Sequence, residues 1–100
     1  MSVFARRLKE ARKRAGLSQE KLGIEAGLDP MSASTRMNRY ELGKRVPDPD
    51  LVERIAAVLK VPAAYFYATR DDEAALLLQF YRLSKIDRAK VVALIETLSG

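Results

Sequence analysis

The chain has 100 residues, 48% of them apolar, and a formal net charge of +5; that is one globular domain with a real core, and it excludes a disordered chain. It contains no Cys and no His, which removes disulfides, thiolate or imidazole metal sites, and Cys or His catalysis. No apolar stretch is long enough to span a bilayer and no hydrophobic signal core follows the N-terminal charges, so a cytoplasmic protein is expected.

The charge is unevenly placed. Residues 1–45 hold 11 Lys/Arg against 5 Asp/Glu, and the rest hold 7 against 8. The positive field, and with it any anionic partner, belongs to the N-terminal part.

Helix signals run the length of the chain, and period-two alternation is missing. Phe4, Leu8, Ala11 and Ala15 recur at spacings of four, three and four, one face of a helix that stops at Gly16. Arg6, Arg7, Lys9, Lys13 and Arg14 fall on the opposite face and read as solvent-facing. Ser18 offers an N-cap oxygen for a short second helix through Leu22, ending near Gly27. Asp29-Pro30 reads as N-cap plus first helical residue of a third helix, which starts there or at Ser32 and ends at Leu42, with Gly43 as the stop.

Asp48-Pro49 repeats the start signal for a fourth helix, striped by Leu51, Ile55, Val58 and Leu59. Pro62 opens a short fifth, Ala63–Tyr67, whose aromatics Tyr65, Phe66 and Tyr67 read as core. The polar run "ATRDDE" marks a boundary, dividing a domain over 1–68 from a helical segment over 69–100. Two further helices are expected there: Glu73 to Leu83, with Leu76, Leu77, Phe80 and Tyr81, and Ile86 to Leu98. Before the second, Ser84-x-x-Asp87 resembles a capping box.

Helices two and three, short and joined by a turn containing Gly, form a pair whose use is to hold the second at a fixed angle. With "LKEARKRAGLSQEKL", "NRYELGKRVPD" and "LVERIAAVLKVPAAYF" in that order, the chain resembles the lambda-repressor-like, Cro/CI-type (XRE) helix-turn-helix domains over roughly Phe4 to Tyr67. The resemblance implies an all-α fold: a compact five-helix DNA-binding domain, here with an added C-terminal helical pair. It implies a phosphate contact and brace at Gln19, core positions at Leu22, Met37 and Tyr40, an internal ion pair between Arg12 and Glu41, and phosphate contacts at Lys44 and Arg45.

Three departures stand out. Gly27 to Glu41 is longer than the family's usual spacing by about four residues, an insertion near Leu28 to Ser32. It either adds a turn to the recognition helix or lengthens the turn before it. Gly23 stands where the family prefers Ala, at a cost of roughly 0.5–1 kcal/mol in a helix interior, so close approach of helix three is expected to compensate. Ile24 stands where a polar residue is usual, and is expected to pack against the insertion or the C-terminal segment.

With Met37 and Tyr40 inward, Ala33 lies on their side and Ser34, Thr35, Arg36, Asn38 and Arg39 face outward or flank the edge. These are base-reading chemistries: Arg pairs with guanine, Asn with adenine, and hydroxyls with bases or phosphates. The expected partner is double-stranded DNA, with the helix around Ser32 to Leu42 in the major groove, and the expected function is sequence-specific transcriptional regulation, as a repressor. The C-terminal pair either caps the domain or presents an apolar face to a second copy; a homodimer suits two half-sites about one DNA turn apart. An antitoxin-type regulator, whose C-terminal helices bind a partner protein, is the alternative. Without a Gly-rich phosphate loop or a spaced acidic pair, no enzyme activity and no cofactor or metal is expected.

Overall fold

The structure, a computed structural model, describes residues 2–100. Among these residues six α-helices and one 3-10 turn follow one another: α1 Val3–Arg14, α2 Gln19–Glu25, α3 Ala33–Glu41, α4 Pro49–Leu59, the 3-10 turn Ala63–Tyr67, α5 Asp71–Tyr81 and α6 Lys85–Ser99. The described residues contain no strand, and the fold is all-α, as expected.

Four of these helices start on a side-chain cap. Ser2, Ser18, Asp48 and Ser84 accept from the backbone N–H of Ala5, Lys21, Leu51 and Asp87 at 3.1, 3.0, 2.9 and 3.1 Å, each satisfying a donor that the helix cannot. Asp29 behaves differently. Its carboxylate accepts from the Met31 N–H at 2.8 Å and its carbonyl from the Ser32 N–H at 3.0 Å. Asp29-Pro30 therefore closes a turn rather than opening α3, because a short carboxylate can mimic a backbone turn. The inserted residues lengthen the connection, and α3 begins only at Ala33.

The core is shared by α1 to α5. Leu8, Leu22, Met37, Leu51, Ile55, Tyr65 and Phe66 are fully buried. Ala74 and Leu78 join the same cluster from α5, with Leu77 packed at its edge. Of the aromatic trio Tyr67 departs from expectation: it is 56% exposed, its ring lying against Phe4 at 5.5 Å.

Arg7 is also a correction. Read as solvent-facing, it is only 4% exposed. Its Nε donates to the Ala68 carbonyl at 3.0 Å and its Nη2 to Asp71 at 2.9 Å, with the Tyr65 ring 5.8 Å away. The side of α1 that carries Arg7 is covered by the segment entering α5, and one guanidinium satisfies the carbonyl and the carboxylate there.

In α6 no residue is buried. Arg88 fastens its start to the carboxyl end of α5, donating to the Phe80 carbonyl at 3.1 Å and to the Tyr81 carbonyl. Ile86, Val92, Leu94, Ile95 and Leu98 remain exposed, and the molecule is elongated, 51 × 26 × 22 Å.

Candidate nucleic-acid interface

α3 is seated on α2 by a backbone-level approach. A Cβ added at Gly23 would lie 2.8 Å from the Ala33 Cβ and 3.1 Å from its carbonyl oxygen. Only glycine admits the N-terminal end of α3 at this distance, which compensates its cost inside a helix. The C-terminus of α2 is held from another direction: Arg54 of α4 donates to the Ala26 carbonyl at 2.7 Å and lies 3.5 Å from where a Gly27 Cβ would sit. A cation on the last free carbonyls of a helix is favoured by hydrogen bonding and by the macrodipole.

The far end of α3 is fixed by a Schellman closure. The Lys44 N–H reaches the Arg39 carbonyl at 3.0 Å and the Gly43 N–H reaches Tyr40 at 3.2 Å, with Gly43 at φ +73°. Beneath, Arg12 grips Glu41 in a fork, Nε–Oε2 2.5 Å and Nη2–Oε1 3.0 Å, while its Nη1 donates to the Leu17 carbonyl at 2.9 Å. Glu41 is 2% exposed; a carboxylate buried this deeply is tolerable because both its oxygens accept from the Arg12 guanidinium. Gln19 supplies a further donor, Nε2–Oε1 3.2 Å, and the same nitrogen donates to Asn38 Oδ1 at 3.1 Å.

Ser34, Thr35, Asn38 and Arg39 are exposed, on the side of α3 away from Ala33, Met37 and Tyr40. Arg36 is half-buried: its Nη2 donates to the Tyr40 hydroxyl at 2.9 Å, with the guanidinium 6.0 Å from the ring centre. Lys44 and Arg45 are exposed just past the stop, and Gln19 is half-buried between α2 and α3. Arg36, Arg39, Tyr40, Arg45 and Val46 line a shallow notch of about 310 Å³. From Ala33 to Val46 the sole acidic residue is the buried Glu41, so every charge this stretch exposes is positive.

The helix-turn-helix domain family matches residues 3–65. The chain belongs to this family. Over 63 residues, which are 62% of this chain and 42% of the other, the helix-turn-helix protein is 36% identical to RghRB of Bacillus subtilis (strain 168), described as an uncharacterized HTH-type transcriptional regulator. The chain thus spans less than half the length of that relative. It is similar throughout to the crystal structure of the transcriptional regulator BswR, with TM-score 0.86 and 41% identity over 97% of this chain and 94% of that one.

Sequence reasoning missed two contributors to this helix-turn-helix. Arg54 braces the α2 terminus from α4, 28 residues further along the chain, and nothing local marks it. Val46, 81% exposed beside the arginines of the notch, carries no pattern in the sequence that singles it out. Ile24, expected to be covered, stays 40% exposed.

Proposed function

We propose that the chain is a sequence-specific double-stranded DNA-binding transcriptional regulator, acting as a repressor. The observation that carries this is the exposed face of α3 and its following loop: hydroxyls, an amide and cations, with no exposed acid between Ala33 and Val46. In this reading α3 enters the major groove, where Ser34, Thr35, Arg36, Asn38 and Arg39 meet base edges. Gln19, Lys44 and Arg45 hold phosphates and set the register, while the Arg12–Glu41 pair keeps α3 rigid beneath them. Small residues at the start of α3 suit a groove about 12 Å wide.

Residues 1–68 would bind DNA and residues 69–100 would complete and pair the domain. α5 does the capping, through Ala74 and Leu78; α6, which buries nothing, is the surface for a second copy, giving the homodimer that two half-sites require. The same bare helix supports a second reading, an antitoxin-type regulator whose α6 takes a different protein.

Duplex binding followed across salt concentrations tests the main reading. Occupation of several phosphates gives log K falling linearly with log salt, by about 0.9 per phosphate. Failure to retain any duplex at low salt would remove both readings.

A further inference from the structure

Asn38 lies on the exposed side of α3, and the hydrogen bonds beneath it fix which way its amide faces. The Glu41 carboxylate, forked to the Arg12 guanidinium, is an acceptor. Gln19 must therefore turn its Nε2 toward it, as the 3.2 Å contact shows. That nitrogen is a donor with no lone pair to offer. The Asn38 atom 3.1 Å from it is accordingly the oxygen, Oδ1. The Oδ1 is drawn inward to Gln19, and the Nδ2 is the group left for an outside partner.

This matters for base choice. Reading adenine with both ends of an Asn amide needs Oδ1 to accept from N6 while Nδ2 donates to N7. With Oδ1 drawn inward to Gln19, the group that Asn38 presents outward is the Nδ2 donor. Guanine presents two adjacent major-groove acceptors, O6 and N7, whereas adenine sets its N6 donor beside N7, thymine offers O4 alone beside its methyl, and cytosine presents the N4 donor.

Resting on the proposal that α3 reads DNA, we propose that Asn38 is a specificity residue that selects guanine by presenting its Nδ2 donor outward, and that Gln19 is its positioning residue. The adenine pairing expected from residue type alone gives way to one set by the buried ion pair. An orientation that begins at Arg12 thus ends at a base edge, and Asn38 inherits a preference its side chain does not have in isolation.

Selection of duplexes from a random pool tests this with the full chain. The wild type should enrich guanine at one position per half-site. Asn38→Asp keeps an oxygen for Gln19 and turns a second oxygen outward, so the same position should change to cytosine, whose N4 donates to it. Gln19→Ala releases the amide and should let adenine rise to equal guanine there, a change in base ranking that loss of a phosphate contact would not produce. In the selected duplex, replacing that guanine by 7-deazaguanine should weaken the wild type about fivefold, the scale of one hydrogen bond, and leave Asn38→Ala unaffected. Adenine at the position that Asn38→Asp alters, or no altered position, overturns the inference while leaving DNA reading intact. A pool with no enriched sequence removes the DNA reading, and this inference falls with it.

Discussion

α3 and α6 both lie at the surface, and they are exposed for opposite reasons. α3 buries Ala33, Met37, Tyr40 and Glu41 and shows the solvent hydroxyls, an amide and cations. α6 buries nothing and shows it Ile86, Val92, Leu94, Ile95 and Leu98. A polar face over a packed and hydrogen-bonded underside is a surface whose side chains hold their positions before any partner arrives, so that little ordering remains to oppose binding. An apolar face without an underside draws little from packing within the chain, and α6 is held there by the Ser84 cap and the Arg88 bonds to α5; helices of this length are marginal in water on their own. The two regions therefore differ in what their removal or disruption should do.

The largest effect belongs to the underside of α3. Replacing Glu41 by Ala leaves the Arg12 guanidinium without its fork and Gln19 without its acceptor. Losing one partner of a buried pair costs about 3–5 kcal/mol, and urea denaturation should show that loss as a lower midpoint with an unchanged slope. A loss below about 1 kcal/mol would mean that α3 is held by its apolar residues alone, and the contrast with α6 would weaken.

Next comes the contact between α2 and α3. Gly23→Ala places a Cβ 2.8 Å from Ala33 Cβ, and overpacking of this kind costs about 1–3 kcal/mol, against the gain of up to about 1 kcal/mol that Ala ordinarily brings to a helix interior. The net should be destabilising in a denaturation experiment. Adding Ala33→Gly should recover part of the loss if the two positions are coupled through this contact; simple additivity would point to a cause elsewhere.

These two sites show what was legible in the sequence. The end of α3 was readable because Met37, Tyr40, Glu41 and Gly43 stand at spacings that periodicity and capping fix. The special status of Gly23 was readable too, since a glycine inside a helix asks for a close neighbour. The start of α3 was readable only as two alternatives, Asp29-Pro30 or Ser32, and the later one holds, with Ser32 as the N-cap. Asp29-Pro30 carries a valid helix-start signal, and only the competition from an Asp-closed turn moved the helix on to Ala33. Arg7 was assigned to solvent because its neighbours Arg6 and Lys9 belong there. What buries it is a carbonyl at Ala68 and a carboxylate at Asp71, some sixty residues on, and local pattern holds no information about them. The orientation of Asn38 is of the same kind: it depends on Gln19, Glu41 and Arg12 together, from three helices.

A smaller effect distinguishes α5 from α6. Asp71 at the start of α5 is held below the usual carboxylate range, first by its hydrogen bond from Arg7 and then by that from Arg6. A carboxyl whose folded value is depressed contributes stability that is fully present above its unfolded value near 3.8 and disappears as pH falls through the lower folded value. Asp71→Asn should therefore lower the thermal midpoint slightly at pH 7 and flatten the acid limb below about pH 4. An unchanged acid limb would mean that α5 is fastened by Ala74 and Leu78 without help from the charge.

The smallest effect on the fold should come from α6, and there the comparison becomes sharpest. Leu94→Glu alters a side chain that is 58% exposed, so it disturbs little within the chain, and surface changes of this kind stay within about 0.5 kcal/mol. If α6 pairs with a second copy, the consequence appears elsewhere. The wild type should sediment as a dimer, with a thermal midpoint that rises with protein concentration, since association stabilises the folded state by mass action. Leu94→Glu should sediment as a monomer with a midpoint independent of concentration and near the wild-type value at high dilution. Operator affinity should drop, because one recognition helix then holds one half-site. A wild type that is monomeric at all concentrations would assign the apolar face of α6 to a partner other than this chain, and would turn the contrast between the two helices from one between binding DNA and binding itself into one between binding DNA and binding another protein.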